Sequence, residues 1–466
     1  MQFSELYYKY ISDKSKSLSI IISKGGISMS KIKQTDLKYN MHSWSAQKKI
    51  DPLVITTAEG IYFTDEDGKR YADMSSQLVN VNLGHHNEAL IAAIKEQADK
   101  LAFIGPSYAT DVRSEAAKGI ADLSGIPGAK VFFTNAGAES NENAIKLAKL
   151  YTGKWKILSM QRCYHGSTAG AGGLSGEPRH FANEPGDAGH VHFEGPYPYY
   201  APAEVKFRSE DDVADYYLEL LKRVVQTEGA HQIAAIFVES VVGSNGILIP
   251  PAKYMQGIRK LCTENNIVMV CDEVMAGFYR TGKPFAFQNF DIQPDLVTFA
   301  KGCTCGYVQL GGVIMNKKIA HSFDMTPMQC GLTYSAHPIG CACTCAALRE
   351  YKEKNIEENV NIVGSLLGSI LESMKLRHKC VGDVRYIGLF SGIELVREPH
   401  VPLVPFGEDP EGIMSSIIGD LREAGFSTYS HESVIVIAPP LIITSNELRE
   451  EMKKLDTELN NIDKMI

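Results

Sequence analysis

Lys301 is the residue whose type and position indicate chemistry most directly. It follows an apolar run, Leu296–Ala300, that predicts a buried strand, and a glycine-rich turn from Gly302 to Gly306 comes directly after it. The amine of a lysine at a strand end can form a Schiff base with an aldehyde. A lone lysine is more often a solvated loop charge, so the assignment depends on the residues that accompany it.

Asp272 is the first of those residues. It follows a second apolar run, Ile267–Cys271, that predicts another buried strand. A carboxylate beyond one strand and a lysine beyond another is the arrangement that pyridoxal 5'-phosphate (PLP) chemistry requires. The lysine binds the cofactor aldehyde, and the carboxylate keeps the pyridine nitrogen protonated so that the ring can accept electrons. Asp272 and Lys301 together therefore predict a PLP site.

The elements that must position these residues alternate between short apolar runs and helical patterns from about residue 114 onward. Such alternation predicts an α/β fold with a mostly parallel sheet covered by helices on both faces. The strands predicted for it are Lys130–Phe133, Lys156–Ser159, Ile233–Glu239, Ile267–Cys271, Leu296–Ala300 and Gly312–Met315.

The pattern changes to mixed helices and strands after a predicted helix near Cys341–Lys354. We therefore expect a large cofactor-binding domain over residues 86–345. A smaller α+β domain would combine residues 29–85 with residues 346–466. Residues 1–28 read as an N-terminal extension, disordered or not native, with Met29 as the functional start.

The bulk composition excludes several classes of protein. The net charge of −8 over 466 residues argues against a nucleic-acid partner, because phosphate contacts need clustered Lys and Arg. No apolar run approaches the roughly 20 residues of a membrane span. The ten cysteines lack zinc-ligand spacing and predict small buried thiols in a reducing cytosol. We therefore expect a cytoplasmic protein without a metal site.

Further candidate residues fall beyond the predicted strand ends, where an open parallel sheet binds its ligands. The small residues Gly137 and Ala138 open a predicted helix, whose N–H groups and positive end suit a phosphate. Tyr164 offers a ring for stacking on the cofactor, Glu239 ends a strand, and Thr333 offers a hydroxyl to a phosphate oxygen. Each has an ordinary structural alternative, but their order along the chain favours one PLP site.

The segments TNAGAESNENAIKLAK, YHGST, DEVMAGFYRTGK, FAKG and GLTYSAHP resemble the signature segments of class III aminotransferases. These are fold-type-I PLP enzymes, also called ω-aminotransferases. The resemblance runs from about Trp44 to Leu441. It implies a large domain with a mostly parallel sheet, a small α+β domain built from both chain ends, and a homodimer with active sites at the subunit interface. Pairing of dimers into a tetramer is left open.

The resemblance also implies roles for the residues around the cofactor ring. Lys301 would hold the cofactor and shuttle the proton, and Asp272 would pair with the pyridine nitrogen. Val274 and Tyr164 would pack on the two ring faces, with His165 beside Tyr164. These are the residues that would carry the amino group from a donor amine to the cofactor and then to a 2-oxo acid.

The phosphate of the cofactor has its own implied contacts. Gly137 and Ala138 would offer backbone N–H groups, and Thr333 would reach the phosphate bound in the neighbouring subunit. Glu239 would support the Asp272 side of the site.

Two positions depart from ornithine- and 4-aminobutyrate-type relatives. Val436 stands where those relatives carry an arginine for the α-carboxylate, and Ser244 stands where they carry the glutamate that gates it. Another group must therefore hold the anionic end of the substrate. We expect Trp44 at the pocket mouth and Arg162, two residues before Tyr164, whose donor fork suits a carboxylate or sulfonate. The alternatives are core packing for Trp44 and a surface salt bridge for Arg162.

The stretch LSGEPRHFANEPGDAGHVHFEGPYPYY is similar to taurine aminotransferases, which pass the amino group of taurine to pyruvate or 2-oxoglutarate and release sulfoacetaldehyde. Tyr200 stands where an arginine is expected, so one anion contact of those relatives is predicted to be missing. Other possible donors are β-alanine, 4-aminobutyrate and a diamine. An aminomutase and a non-enzymatic relative are further alternatives.

Overall fold

The computed structural model describes residues 29–202, 205 and 207–466, and the predicted extension over residues 1–28 lies outside them. The helices are α1 (Lys31–Tyr39), α2 (Glu88–Leu101), α3 (Asp111–Ser124), α4 (Gly137–Thr152), α5 (Ala169–Leu174), α6 (Glu210–Glu228), α7 (Ala252–Glu264), α8 (Lys317–Ser322), α9 (Pro338–Glu353), α10 (Ile356–Arg377), α11 (Ile413–Glu423) and α12 (Ser445–Met465). The strands are β1 (Ile55–Glu59), β2 (Tyr62–Asp65), β3 (Arg70–Asp73), β4 (Lys130–Thr134), β5 (Lys156–Met160), β6 (His190–Phe193), β7 (Ile233–Glu239), β8 (Val268–Asp272), β9 (Leu296–Phe299), β10 (Gly311–Met315), β11 (Val381–Ile387), β12 (Phe390–Glu398), β13 (Val401–Pro402), β14 (Phe426–Ser427), β15 (Tyr429–His431) and β16 (Val434–Ile437).

The largest sheet has seven strands in the order β4-β10-β9-β8-β7-β5-β6. Its neighbours from β9 to β6 pair in parallel, whereas β10 runs antiparallel to both β4 and β9. The predicted α/β fold with a mostly parallel sheet is thus confirmed. The register places Glu239 beside Asp272 and Asp272 beside Thr298, so three strand ends bring their side chains to one edge.

Apolar side chains on both faces hold this sheet between helices. All seven residues of β7 are buried, as expected for a strand covered on both sides. On one face, Phe237 and Val270 pack with Ala144 and Leu147 of α4. On the other face, Ile236 belongs to a second cluster that includes residues of α3, α6 and α7. Full burial of one such side chain stabilises the fold by roughly 1.5–3 kcal/mol.

Two smaller sheets bring the two ends of the chain together. One sheet has the order β1-β2-β3-β14, in which the late strand β14 pairs in parallel with the early strand β3. The other has the order β11-β12-β16-β15, with β13 added to β12. The joining of β3 to β14 agrees with a small domain from both ends, and the exact domain boundaries stay a prediction.

Some elements carried too little signal to be predicted. The edge strand β6 consists of His190–Phe193, in which only Phe193 is buried, so it lacks the apolar run that marks the other strands. Strands β2 and β3 form a hairpin, and β1 adds a strand in front of it. Among the residues described, none of the helices combines the length and apolar character needed to cross a membrane.

Candidate active site

A cavity of about 580 Å³ opens where strands β7, β8 and β9 end. It brings together most of the predicted site residues. Those that line it are Gly137, Ala138, Tyr164, His165, Glu239, Asp272, Val274 and Lys301. Trp44, Arg162 and Thr333 are not among its lining residues.

Asp272 lies at the carboxyl end of β8 and is almost fully buried. Nδ2 of Asn141 donates a hydrogen bond to its Oδ2 at 2.8 Å, and Nδ1 of His165 lies 2.7 Å from the same oxygen. The backbone N–H of Val274 donates to the other oxygen, Oδ1, at 2.9 Å. These three groups hold Asp272 as an oriented acceptor inside the cavity.

The first turn of α4 presents backbone to the same cavity. The residue before the helix, Ala136, makes no side-chain cap, so the helix start offers N–H groups and the positive end of the dipole to a ligand. A β-carbon at Gly137 would lie 2.8 Å from Cγ1 of Val274. Glycine at this position therefore allows the helix start and the Val274 side chain to approach each other.

Lys301 begins a short 3-10 turn directly after β9 and has a φ of 43°. A positive φ is uncommon for a residue with a side chain and costs conformational energy. Burial lowers the pKa of the Lys301 amine to about 8, although the nearby charges of Asp272 and Glu239 favour protonation. The amine can therefore be neutral, and nucleophilic, nearer to physiological pH than an exposed lysine.

Glu239 ends β7 and ties this strand to the loop that carries Tyr164. Its oxygens accept hydrogen bonds from the backbone N–H groups of Tyr164 at 3.0 Å and Gly243 at 2.8 Å. Burial raises the pKa of Glu239 to about 7, an effect that His165 opposes and Asp272 reinforces. Its contacts fit the predicted supporting position beside Asp272.

The Tyr164 ring has two neighbours, Trp44 and Arg179, which together line a second cavity. The ring of Trp44 meets it edge-on with 6.5 Å between centroids, and Trp44 is 65% exposed. The guanidinium of Arg179 lies 3.9 Å from the Tyr164 ring centroid, in the range of a cation–π contact. The core-packing alternative for Trp44 is therefore wrong, and a cation that was not predicted lies above the stacking tyrosine.

Arg162 lies elsewhere, so the predicted anion contact needs a correction. Nη1 of Arg162 lies 3.0 Å from Oε2 of Glu432, and its guanidinium lies 4.4 Å from the Phe406 ring centroid. It lines a separate cavity together with Tyr197. The salt-bridge alternative describes this residue, and the arginine beside the stacking ring is Arg179.

The three substituted positions also have definite surroundings. Oγ of Ser244 accepts a hydrogen bond from Nη2 of Arg179 at 3.2 Å, whereas Val436 is fully buried in β16. The Tyr200 hydroxyl donates to Oε1 of Glu394 at 3.0 Å. Tyr200 therefore belongs to a buried network next to the C-terminal sheet and does not line the cavity that contains Lys301.

Thr333 is exposed on the chain described here, and its predicted contact with a neighbouring subunit stays a prediction. Asn141 and Arg179 are the residues that sequence reasoning missed. Asn141 lies four residues after Gly137, one helical turn along the same face, so helical spacing could have identified it. Arg179 carried no such signal, because its position depends on how a loop folds back.

The residues of the cavity fit PLP. The buried Asp272 matches a protonated ring nitrogen, and the amine of Lys301 matches the aldehyde. The start of α4 matches the phosphate. Gly166, which has a φ of 136°, keeps this helix start accessible, because a β-carbon at position 166 would lie 2.6 Å from the β-carbon of Ala138. Three parts of the cofactor thus have chemically suitable groups around one cavity.

Residues 44–459 match the aminotransferase class-III family, and the chain belongs to this family. It is accordingly a PLP-dependent aminotransferase. Among solved structures, it is similar to taurine:2-oxoglutarate aminotransferase from Bifidobacterium kashiwanohense, in complex with PLP and glutamate. That chain has 46% identity and a TM-score of 0.90, and the match covers 93% of this chain and 98% of the other.

Curated relatives act on several donors. The taurine–pyruvate aminotransferase of Bilophila wadsworthia (strain 3_1_6) is 28% identical over 461 residues, which cover 92% of this chain and 96% of that protein. The chloroplastic gamma aminobutyrate transaminase 3 of Solanum lycopersicum is 30% identical over 450 residues, covering 90% and 82%. The family thus fixes the reaction type, while the donor amine has to be argued from the site.

Proposed function

We propose that this aminotransferase takes the amino group of an ω-amino acid with an anionic far end and passes it to a 2-oxo acid. Taurine is the first candidate donor, giving sulfoacetaldehyde, and pyruvate or 2-oxoglutarate is the acceptor. The observation that carries the proposal is the Arg179 guanidinium 3.9 Å from the Tyr164 ring centroid. A planar guanidinium binds a sulfonate or carboxylate through parallel hydrogen bonds. The 46% identity to a taurine:2-oxoglutarate aminotransferase supports taurine over other donors.

When bound, PLP supplies an aldehyde that condenses with amines and a ring that stabilises negative charge on the attached carbon. The carboxylate of Asp272 would accept a hydrogen bond from the protonated ring nitrogen. Nζ of Lys301 would hold the cofactor in the resting enzyme. As a free amine, Lys301 would act as the base and acid that moves a proton at the amine-bearing carbon of the substrate. Its pKa of about 8 suits both accepting and returning a proton.

The remaining residues fix the position of the ring and the phosphate. Val274 and Tyr164 would pack against the ring, and His165 keeps Asp272 oriented through its 2.7 Å contact. The N–H groups of Gly137 and Ala138 would bind the phosphate at the start of α4. None of these groups reacts, and their contribution is orientation.

Arg179 replaces Arg162 as the proposed anion contact. It lies beside Trp44 and above Tyr164, where the far end of a donor on the cofactor would emerge. A carboxylate would fit the same guanidinium, so β-alanine and 4-aminobutyrate remain second candidates, and the relatives include a gamma aminobutyrate transaminase. A diamine has no anion to offer to Arg179 and is less well matched.

We also propose a homodimer with shared active sites in the cytoplasm. Phe103, Tyr108 and Tyr334 are exposed aromatic residues, and the rings of Phe103 and Tyr334 lie 5.8 Å apart. Tyr334 follows Thr333 in the chain, so a second subunit covering these two rings would bring Thr333 towards the phosphate of its neighbour. The ten cysteines of the described residues are all free thiols, which suits a reducing compartment. Sedimentation velocity would test the dimer: a monomeric holoenzyme would rule it out.

The test of the reaction is a half-reaction. Taurine alone is added to the yellow holoenzyme, and we expect the cofactor absorbance to bleach. Pyruvate and 2-oxoglutarate are then added separately, and the one that restores the absorbance is the acceptor. Bleaching with β-alanine or a diamine but not with taurine would reject taurine and keep the reaction type. Turnover of one substrate without any 2-oxo acid would indicate an aminomutase.

The test of the anion contact compares two arginines. An Arg179→Leu variant should raise the KM for taurine by roughly tenfold to a hundredfold, as expected for loss of a charge-assisted contact of about 1.5–3 kcal/mol. The matched control is Arg162→Leu, which removes a guanidinium of the same type outside the cavity. Equal KM values for Arg179→Leu and the wild type would contradict the assignment.

A further inference from the structure

Glu177 is a buried carboxylate that contacts the proposed anion-binding arginine. Its Oε1 accepts a hydrogen bond from Nε of Arg179 at 2.5 Å. The side chain of Glu177 is only 6% exposed, whereas that of Arg179 is 31% exposed. Glu177 is thus the buried member of the pair, and Arg179 is the more exposed member, which lies over the Tyr164 ring.

The Arg179 guanidinium has N–H donors that its contacts with the protein do not use. Its Nε is bound to Glu177, and its Nη2 donates to Oγ of Ser244 at 3.2 Å. Within the described part of the chain, Nη1 has no hydrogen-bond partner. A guanidinium has five N–H donors in one plane, so Arg179 can bind a substrate anion through its outer edge while Glu177 holds its inner edge.

We propose that Glu177 is the counter-ion of this anion site and sets its selectivity. The inference rests on the anion-binding role proposed for Arg179. The carboxylate of Glu177 balances the charge of the Arg179 guanidinium. A substrate whose far end is uncharged therefore leaves no unpaired cation in the site. The sulfonate or carboxylate of a substrate must share the Arg179 cation with Glu177, and this sharing weakens binding of the anionic substrate. The anionic aldehyde product is therefore released faster and exchanged for the 2-oxo acid. Glu177 therefore lowers affinity for anionic ligands and raises tolerance of uncharged amines.

The test measures binding without reaction. Ethanesulfonate carries the anion of taurine but no amine, so its Kd for the holoenzyme can be measured by calorimetry. In Glu177→Gln, which keeps an oxygen acceptor for Nε but removes the charge, we expect the Kd to fall roughly threefold to tenfold. Glu177→Asp retains the charge and should stay near the wild type. The matched control is Asp456→Asn, whose carboxylate pairs with the distant Arg377 at 2.7 Å, and its Kd should be unchanged.

A second measurement separates selectivity from packing. The ratio of kcat/KM for taurine to kcat/KM for propylamine should rise in Glu177→Gln by a similar factor. Without the Glu177 charge, the Arg179 guanidinium binds the sulfonate of taurine more strongly and is left unpaired beside the uncharged chain of propylamine. A loss of packing alone would lower both values together. The melting temperature of each holoenzyme confirms that the variants are folded.

The outcomes separate this inference from the proposed function. If Arg179→Leu abolishes ethanesulfonate binding but Glu177→Gln leaves the Kd unchanged or raises it, the counter-ion role is overturned and the anion site stands. If Arg179→Leu still binds ethanesulfonate as the wild type does, the anion contact itself is wrong, and the role of Glu177 falls with it. The inference is supported only if ethanesulfonate binds more tightly to Glu177→Gln than to the wild type, while the control variant is unchanged.

Discussion

Replacing Asn141 by leucine should weaken cofactor binding. The Asn141 amide donates to Oδ2 of Asp272 at 2.8 Å and to the carbonyl oxygen of His165 at 2.7 Å. Leucine has a similar shape and offers no donor. A hydrogen bond to a charged group contributes about 1.5–3 kcal/mol, and Asp272 keeps its contacts with His165 and Val274. We therefore take the lower figure of about 1.5 kcal/mol, which corresponds to roughly a tenfold higher Kd for PLP.

The assay titrates PLP into the apoprotein and follows the cofactor absorbance. Asn143 offers a matched control on the same helix: it is also buried, and its amide donates to the carbonyl oxygen of Glu139 at 2.7 Å. Asn143→Leu should lower the melting temperature of the protein and leave the Kd for PLP unchanged. The reasoning would be refuted if Asn141→Leu bound PLP as tightly as the wild type, or if both variants lost affinity equally.

Three further predictions concern two residues of this cavity and Glu273, the residue next to Asp272 in the chain. Gly137→Ala would place a β-carbon 2.8 Å from Cγ1 of Val274, so it should destabilise the protein by about 1–3 kcal/mol and weaken PLP binding. The double variant with Val274→Ala should recover stability in thermal unfolding, and no recovery would argue against this contact. Because burial lowers the pKa of Lys301 to about 8, the rate of PLP attachment to the apoprotein, followed by stopped-flow absorbance, should rise with pH and level off above about 8. A rate that does not change between pH 6 and 9 would contradict this pKa. Burial raises the pKa of Glu273 from 4.5 to about 7, so its contribution to stability is complete below pH 4.5 and is lost as the pH rises through about 7. This loss is up to about 3 kcal/mol, and denaturant unfolding of Glu273→Gln should show a weaker decline over that range.

Much of the fold could be predicted because local and global signals agree. Helix Glu88–Leu101 starts where the sequence offers a cap, since the side chain of Asn87 accepts a hydrogen bond from the N–H of Leu90. Strand Ile233–Glu239 is also as predicted, because a strand buried on both faces is one unbroken apolar run. The edge strand β6 has no such run, so pairing with β5 alone defines it.

The site was predictable where residues follow strand ends and was not where a loop folds back. Arg162 is close to Tyr164 in sequence, but its φ of 60° turns the chain at that point. The N–H of Arg162 donates to the carbonyl oxygen of Gly176 at 2.7 Å, which lays the segment after Gly176 against the strand end. Three residues later, Arg179 lies above the Tyr164 ring. Closeness in sequence favoured Arg162 as the neighbour of the Tyr164 ring. The backbone contact between Arg162 and Gly176 instead places Arg179 over that ring.

The substitutions at Val436 and Ser244 become consistent once Arg179 is considered. A guanidinium in place of Val436 would be fully buried, and a buried cation needs a carboxylate partner. Serine at position 244 offers no carboxylate to such a cation. Ser244 instead accepts a hydrogen bond from Arg179, and the buried carboxylate of Glu177 pairs with the same guanidinium. Under the proposed assignment, the charge that recognises the substrate lies on a loop above the ring of Tyr164 rather than on the C-terminal sheet. Substrate preference should therefore respond to substitutions between Gly176 and Arg179 far more than to substitutions in β16.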